Sequence, residues 1–327
     1  MQKYRYLFGP VPSRRLGRSL GVDLTPHKTC TLDCVFCQLG RTTHKTMTRK
    51  EYVPVDAVLA ELDAWFKDKG QTDVITLSGS GEPTLHSGFG EVLRFIRCRT
   101  PFPAVLLTNA TLLSLPEVQE AASLAHIVKV SLSAWDRASF GSVNRPHPDI
   151  TFDQVLAGQK AFRARFRGQL WMEVFLVAGM NSLASDVAKV AALAKEIRPD
   201  RIHLNTAVRP PSEDFAVPLS QERMEALTPL FCPRAEVIAE FETKQRVEIR
   251  AAQEEIYAML RRRPCTAQDI AETFSMHPNE VSKYVGNLLR EKHIRAQVVN
   301  SLLYYVAEEE KAEREAIGRM GICNEDP

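Results

Sequence analysis

The sequence predicts an α/β protein: a partial (β/α)6 TIM-type barrel over residues 1–235, a linker over 236–250, a small winged helix-turn-helix over 251–307 and an acidic tail over 308–327. Three observations predict it. From about residue 19, short β-rich runs alternate six times with longer amphipathic runs, the pattern of parallel strands joined by crossover helices. Near residue 250 that alternation gives way to three helical patterns and one alternating stretch. The length, 327 residues, is long for one ordinary domain and comfortable for a large one with a small one.

Taken in order, the strands are expected at Leu20–Leu24, Val74–Ser78, Ala104–Thr108, Ile127–Ser133, Leu170–Val177 and Arg201–Thr206, each β-branched or leucine-rich. The helices between and after them are expected at Val55–Lys69, Gly88–Arg97, Pro116–Leu124, Phe152–Phe166, Leu183–Ile197 and Gln221–Phe231. A doubly wound sheet fits the same alternation, and either architecture gathers its chemistry at the carboxyl ends of the strands. In the second part, Ala251–Arg263 presents Ile256, Met259 and Leu260 on one helical face. Thr266 caps a helix to Phe274, and Pro278 opens a third carrying Val281, Val285, Leu288 and Leu289 to about Glu291. Ile294–Val306 then alternates around Asn300-Ser301, as a hairpin does.

Composition narrows the function classes. Hydrophobic residues make up 44% and charged residues 25%, which argues against disorder, collagen and coiled coil. No apolar run approaches the roughly 18–20 residues of a membrane helix, and Met1–Pro10 carries charges and aromatics where a secretory signal is apolar, so a cytoplasmic protein away from membranes is expected. Seven cysteines, an odd and small number, point in a reducing compartment to metal or catalysis rather than disulfides. Residues 1–50 hold ten Lys or Arg against Asp23 and Asp33, whereas the last 20 residues hold seven acids against three bases. A basic head suggests an anionic cofactor, substrate or nucleic acid; a solvated charged face is the plainer reading.

Three cysteines, Cys30, Cys34 and Cys37, fall within TCTLDCVFCQLG just after the first expected strand. Thiolates spaced C-x3-C-x2-C suit a soft metal centre. A cubane iron–sulfur cluster normally takes four thiolates, so three leave one iron open, the mark of a catalytic site. A structural zinc with His27 or His44 as fourth ligand is the alternative, although such sites pair two knuckles and no second knuckle is present. Cys98, Cys232, Cys265 and Cys323 are isolated and read as small buried hydrophobes.

The cysteine loop, with Phe36 just before its last member, resembles the signature of the radical S-adenosylmethionine (SAM) superfamily. The stretches Gly9–Gln38 and LSGSGEPTLH, Leu77–His86, resemble more narrowly its wyosine-tRNA-synthetase-like subgroup. The resemblance implies a [4Fe–4S] cluster on Cys30, Cys34 and Cys37 and SAM as second cofactor. A flavodoxin- or ferredoxin-like protein would be the one-electron reductant. Reductive cleavage of SAM would give a 5′-deoxyadenosyl radical that abstracts hydrogen from a substrate carbon. It further implies that Gly79, Gly81 and Glu82 receive the SAM ammonium, that Ser131, Ser133 and Asn109 contact its ribose or carboxylate, and that Phe36 packs on the adenine, with Val177–Asn181 completing that pocket. The guanine-rebuilding members of the subgroup carry further cysteines ahead of the radical motif, and none precedes Cys30 here.

Substrate contacts are expected where cluster and SAM leave charge unexplained: Arg14 and Arg15, with Arg18, ahead of the first strand, and His203, Asn205 and Arg209 on and after the sixth. Arg137, Arg145 and His147 are further candidates, against the reading that these arginines pair with acids and clamp loops. Glu173 faces either the site or solvent. The winged helix is only weakly basic, and its third helix offers Asn279, Ser282, Lys283 and Asn287. Three functions follow: a radical SAM enzyme acting on nucleic acid or another anionic substrate; a radical SAM activase or maturase whose winged helix recognises a protein or peptide; and, from a different class, a DNA-binding regulator whose cluster senses redox state.

Overall fold

The computed structural model describes residues 4–13, 15–208, 211–238, 246–274, 276–299 and 302–308. Arg14, Arg209, the Asn300-Ser301 turn and all of the acidic tail but Glu308 lie outside the described residues. The chain divides into two compact units, Met1–Glu242 and Thr243–Pro327.

The larger unit is organised by one sheet. Its strands are β1 (Leu7–Ser13), β2 (Gly17–Val22), β5 (Val74–Leu77), β6 (Ala104–Leu107), β7 (Ile127–Ser131), β8 (Gln169–Leu176), β9 (Arg201–Thr206) and β10 (Glu236–Val237). A two-residue ladder, β3 (Thr29–Cys30) with β4 (His44–Lys45), lies between β2 and β5 in sequence. The sheet order is β1-β2-β5-β6-β7-β8-β9-β10, parallel except for β1. Six of the strands are those expected from the sequence, in sequence order. A doubly wound sheet reverses its strand order at a switch point, and this one does not.

Two edge strands went unanticipated. β1 contains Pro10 and Pro12, which cannot donate to a ladder and so disguise a strand that sits at the antiparallel edge, where proline is tolerated. β10 is two residues long and extends the larger unit past residue 235, while α8 already begins at Arg246; the expected 236–250 linker is therefore partly sheet and partly helix.

The crossover helices are α1 (Val55–Lys67), α2 (Phe89–Arg99), α3 (Pro116–Ala122), α4 (Arg137–Val143), α5 (Phe152–Arg165), α6 (Ala184–Ile197) and α7 (Gln221–Leu227). Local chemistry fixes their starts: Asp136 with Ser139 and Thr151 with Gln154 form capping boxes for α4 and α5, and Ser220 caps α7. One face of the sheet, carrying Leu20, Val22, Ile75, Leu77, Leu106, Val128, Val130, Met172, Val174, Ile202 and Leu204, is buried against these helices in one continuous apolar core. Each such leucine or isoleucine contributes about 1.5–3 kcal/mol by leaving water.

The smaller unit comprises α8 (Arg246–Arg262), β11 (Cys265–Thr266), α9 (Ala267–Phe274), α10 (Pro278–Arg290), β12 (Ile294–Val299) and β13 (Leu302–Ala307). Its three-stranded sheet has the order β11-β13-β12, antiparallel throughout. Ile256, Leu260, Ile270, Val281, Val285, Leu288, Ile294 and Tyr305 form its own core. Proline at the first position and a His277–Glu280 capping box start α10.

Candidate active site

The other face of the larger sheet is different. In a parallel pair, registered residues point to the same side, so Lys129 and Trp171, Ser131, Glu173 and His203, and Phe175 and Asn205 share a face opposite the helix-packed one. Its floor is apolar: Leu16, Val74, Val105 and Trp171, with Leu107 and Ile127 against them. Successive same-face residues on β8 stand roughly 6–7 Å apart. Trp171 is therefore in the floor, Glu173 one layer up, and Phe175 at the carboxyl end.

The middle layer is charged. Arg15 donates from a guanidinium nitrogen to Glu173 Oε2 at 2.7 Å, Lys129 forms an ion pair with the same carboxylate, and Asn205 Nδ2 donates to Oε1 at 2.6 Å. Glu173 thus faces the site, which settles the direction left open by its sequence. His203 is 4% exposed, edge-on to Trp171 at 5.3 Å, and its pKa is lowered to about 4 by burial, with Arg15 and Lys129 adding to the effect. Two cations therefore share one carboxylate beside a neutral imidazole. Burial also lowers Arg15 to about 10. Among the described residues neither Arg15 Nε nor His203 Nδ1, both buried, has a hydrogen-bond partner.

The top layer is the cysteine loop, held by segments that leave the carboxyl ends of three strands. Asn109, after β6, donates from Nδ2 to Cys30 Sγ at 3.5 Å and Thr31 Oγ1 at 2.8 Å. Asn144, after α4, donates to Cys34 Sγ at 3.3 Å, while its carbonyl accepts from Asp33 N at 3.1 Å. Ser212, after β9, donates to the carbonyls of Cys34 and Val35 at 2.8 and 2.9 Å. Lys28 Nζ donates to Cys37 Sγ at 3.0 Å. Each of the three sulfurs thus receives a side-chain nitrogen donor, and Cys30 also accepts from the Leu32 backbone amide. Burial pushes the Cys30 thiol up to about 12 and raises Cys34 as well. Phe36 stacks on Phe175 at 4.0 Å within a small apolar wall of Val35, Val177, Met180 and Ala216.

The Gly79–Pro83 turn is pressed against that loop. A Cβ at Gly81 would fall 1.9 Å from the Thr29 carbonyl oxygen, and one at Gly79 2.2 Å from the Asp23 carboxylate, so only glycine permits this approach. Ser80 carbonyl accepts from Lys28 N at 2.7 Å, and Glu82 N donates to Thr29 carbonyl at 3.1 Å. The buried Glu82 side chain takes four donors. Thr84 N, Thr84 Oγ1 and Thr108 Oγ1 reach Oε1 at 3.1, 2.6 and 2.7 Å, and Asn109 N reaches Oε2 at 2.7 Å. Burial raises its pKa and these donors pull it back.

The remaining candidates separate into two groups. Ser131 lies half-buried on the polar face, its carbonyl bonded by Gln159. Ser133 is buried, and its hydroxyl accepts from Phe175 N at 3.0 Å, fastening β7 to β8. Arg145 pairs with Glu213 and His147 lies 3.5 Å from Asp149, as loop clamps do, and Arg18 pairs at the surface with Asp73. Sequence reasoning passed over Lys28, Lys129 and Asn144. Lys129 alone carried a signal, a lysine amid the apolar residues of β7. In the smaller unit Ser282 is buried and donates to the Asn279 carbonyl, and Asn287 bonds Gln253 and Arg290. Among the described residues no helix is long and apolar enough to cross a membrane.

Comparison with known proteins gives matches in sequence and in structure. The family profile described as the Radical SAM superfamily matches residues 24–194. A UPF0026 protein of Helicobacter pylori is 33% identical over 311 residues, covering 92% of this chain and 97% of that protein. A Brachyspira hyodysenteriae protein named GTPase Obg is 33% identical over 312 residues, 93% of this chain but only 45% of that protein, so the chain spans less than half of that relative. Among solved structures, a radical SAM methyltransferase from Sphaerobacter thermophilus aligns with a TM-score of 0.52 at 18% identity, over 67% of this chain and 65% of that one, a likeness of fold.

Proposed function

This chain belongs to the radical SAM superfamily and to the UPF0026 proteins, and from that premise we propose that it holds a [4Fe–4S] cluster on Cys30, Cys34 and Cys37, cleaves SAM reductively and acts on an anionic substrate. Members of the superfamily are enzymes that use such a cluster with SAM. The residues present fit the group. One loop supplies three soft sulfur donors, each facing a nitrogen donor of the kind that hydrogen-bonds cluster sulfurs. Buried thiols as basic as Cys30 stay protonated at neutral pH, and a bound metal centre is what removes such protons. The mutual approach of the three sulfurs to Lys28, Asn109 and Asn144 is the observation that carries the reading.

When bound, the cluster supplies one electron to SAM, whose cleavage supplies a 5′-deoxyadenosyl radical. The chain's own residues bind, orient and exclude water. Gly79 and Gly81 let backbone approach closely, and the remaining acceptor capacity of Glu82 for the SAM ammonium lies on Oε2, which takes a single protein donor. Ser131 offers a hydroxyl on the polar face. Phe36 has one face against Phe175 and offers the other to the adenine. Asn109 and Ser133 also position the loops through their protein partners.

The substrate reading rests on the charged layer. Beside the Glu173 carboxylate, buried Arg15 Nε and His203 Nδ1 have no hydrogen-bond partner among the described residues, an arrangement that a carboxylate or phosphate completes. The sheet closing as a partial barrel around this layer, and the smaller unit acting as a winged helix that docks a macromolecule, belong to the same proposal. The smaller unit's order of helix, strand, helix, helix and hairpin supports the second.

The test is anaerobic. Reconstituted protein should bind close to four irons, and reduction with added SAM should release 5′-deoxyadenosine, which Cys34→Ala abolishes. Zinc in the site, or an intact cluster that leaves SAM whole, refutes the proposal. Nucleic acid that co-purifies and leaves with salt favours the nucleic-acid substrate over the peptide one.

A further inference from the structure

Lys28 is unusual in three independent ways. It is 4% exposed, although lysine is almost never fully buried without a partner. Its φ is +59°, in the left-handed region that non-glycine residues enter at a cost of about 1–3 kcal/mol. Its backbone is clamped on both sides: Lys28 N donates to Ser80 carbonyl at 2.7 Å, and its carbonyl accepts from His44 N at 3.1 Å. The clamp joins the Gly79–Pro83 turn to the β3–β4 ladder and delivers the ammonium 3.0 Å from Cys37 Sγ. The acids near the loop are otherwise engaged. Asp33 bonds Arg41 and the Thr42 amide, and Glu82 bonds Thr84, Thr108 and Asn109. The other two sulfurs accept from neutral amides, so among the described residues a charged hydrogen-bond donor stands at Cys37 alone.

We propose that Lys28 is a positioning residue that tunes the cluster: its ammonium, held against the Cys37 sulfur, stabilises the one-electron-reduced state and raises the cluster's reduction potential. The inference rests on the cluster reading above and goes beyond it by naming what sets its redox poise. The step is a one-electron reduction in which an external donor such as dithionite is oxidised and the cluster gains one negative charge, with no bond to the protein made or broken. A fixed buried cation lowers the energy of that extra charge, and hydrogen bonds to cluster sulfurs act in the same direction.

The experiment is a spectroscopic redox titration of the reconstituted full-length protein, with electron paramagnetic resonance of the reduced cluster, for wild type, Lys28→Met, Lys28→Gln and Lys28→Arg. At a poise fixed at the wild-type midpoint, Lys28→Met should lower the reduced-to-oxidised ratio about tenfold, a negative shift of about 59 mV for one electron. Lys28→Gln, which keeps a donor without the charge, should shift part of the way, and Lys28→Arg should stay near wild type. A Lys28→Met cluster of four irons with an unmoved midpoint overturns the inference and leaves the proposed function standing. Neutral variants that fold but hold no cluster, or that fail to fold by circular dichroism, also overturn it, because Lys28 would then serve retention or folding. A wild-type protein that binds no four-iron cluster takes down the proposed function, and this inference with it.

Discussion

The two faces of the central sheet are made of the same strands and were filled by different rules. Along β8, Leu170, Met172, Val174 and Leu176 point into the helix-packed core, while Trp171, Glu173 and Phe175 alternate with them on the opposite face. A parallel sheet usually buries apolar residues on both faces. Here the second face is apolar only at its floor, and then charged and aromatic towards the carboxyl end. Burying a charge is expensive unless it is paired, so the face that carries Lys129, Glu173 and His203 depends on its pairings, whereas its neighbour gains stability from apolar burial.

The sharpest test of that division is Cys34→Ala. It should eliminate 5′-deoxyadenosine formation and most bound iron, while the metal-free protein melts within a few degrees of wild type. Collapse of the metal-free fold in this variant would mean that the loop is structural. Next comes Glu173→Gln, which leaves Arg15 and Lys129 buried with a neutral partner. Breaking a buried pair costs about 3–5 kcal/mol, and urea unfolding should register a loss in that range. A near-neutral result would show that solvent reaches the charged layer freely.

On the opposite face, Leu106→Ala should cost about 2–5 kcal/mol in the same assay, yet leave SAM cleavage per folded molecule unchanged well below the melting transition. If turnover falls as well, the two faces are not separable. The smallest effect concerns His203. Its pKa drops from 6.5 to about 4 on folding, so between those pH values the unfolded chain binds a proton that the folded one refuses. Stability should therefore decline as the pH falls through that window, and the His203→Gln variant should show a shallower decline. Equal slopes in the two proteins would place His203 in contact with solvent.

What was legible followed from the range of each interaction. The six parallel strands were visible because their helix-facing residues form apolar runs, and β1 was hidden by its prolines. The cysteine motif was visible because its three side chains lie within eight residues. Glu82 was recognisable by motif, but its four hydrogen bonds come from Thr84, Thr108 and Asn109, and no spacing could announce the reach to β6. Glu173 read equally as inward or outward, since period-two alternation fixes a face without saying which face holds the site. Ser133 looked like a cofactor contact by position, and no spacing could announce that its hydroxyl also accepts from the Phe175 amide.

The sequence by itself determined the alternating α/β order, the change of pattern towards a second unit and the close spacing of Cys30, Cys34 and Cys37. Each of these is written in local composition and spacing. Only the tertiary structure decided that Lys28 meets Cys37, that Asn109 and Asn144 reach Cys30 and Cys34, and that Arg15 and Lys129 converge on Glu173. Arg15 and Glu173 lie 158 residues apart, and their contact exists because the turn between β1 and β2 reaches the face of the sheet on which β8 carries Glu173. A charge acquires its meaning from the neighbours that burial forces on it, and those neighbours are chosen by the packing of the sheet.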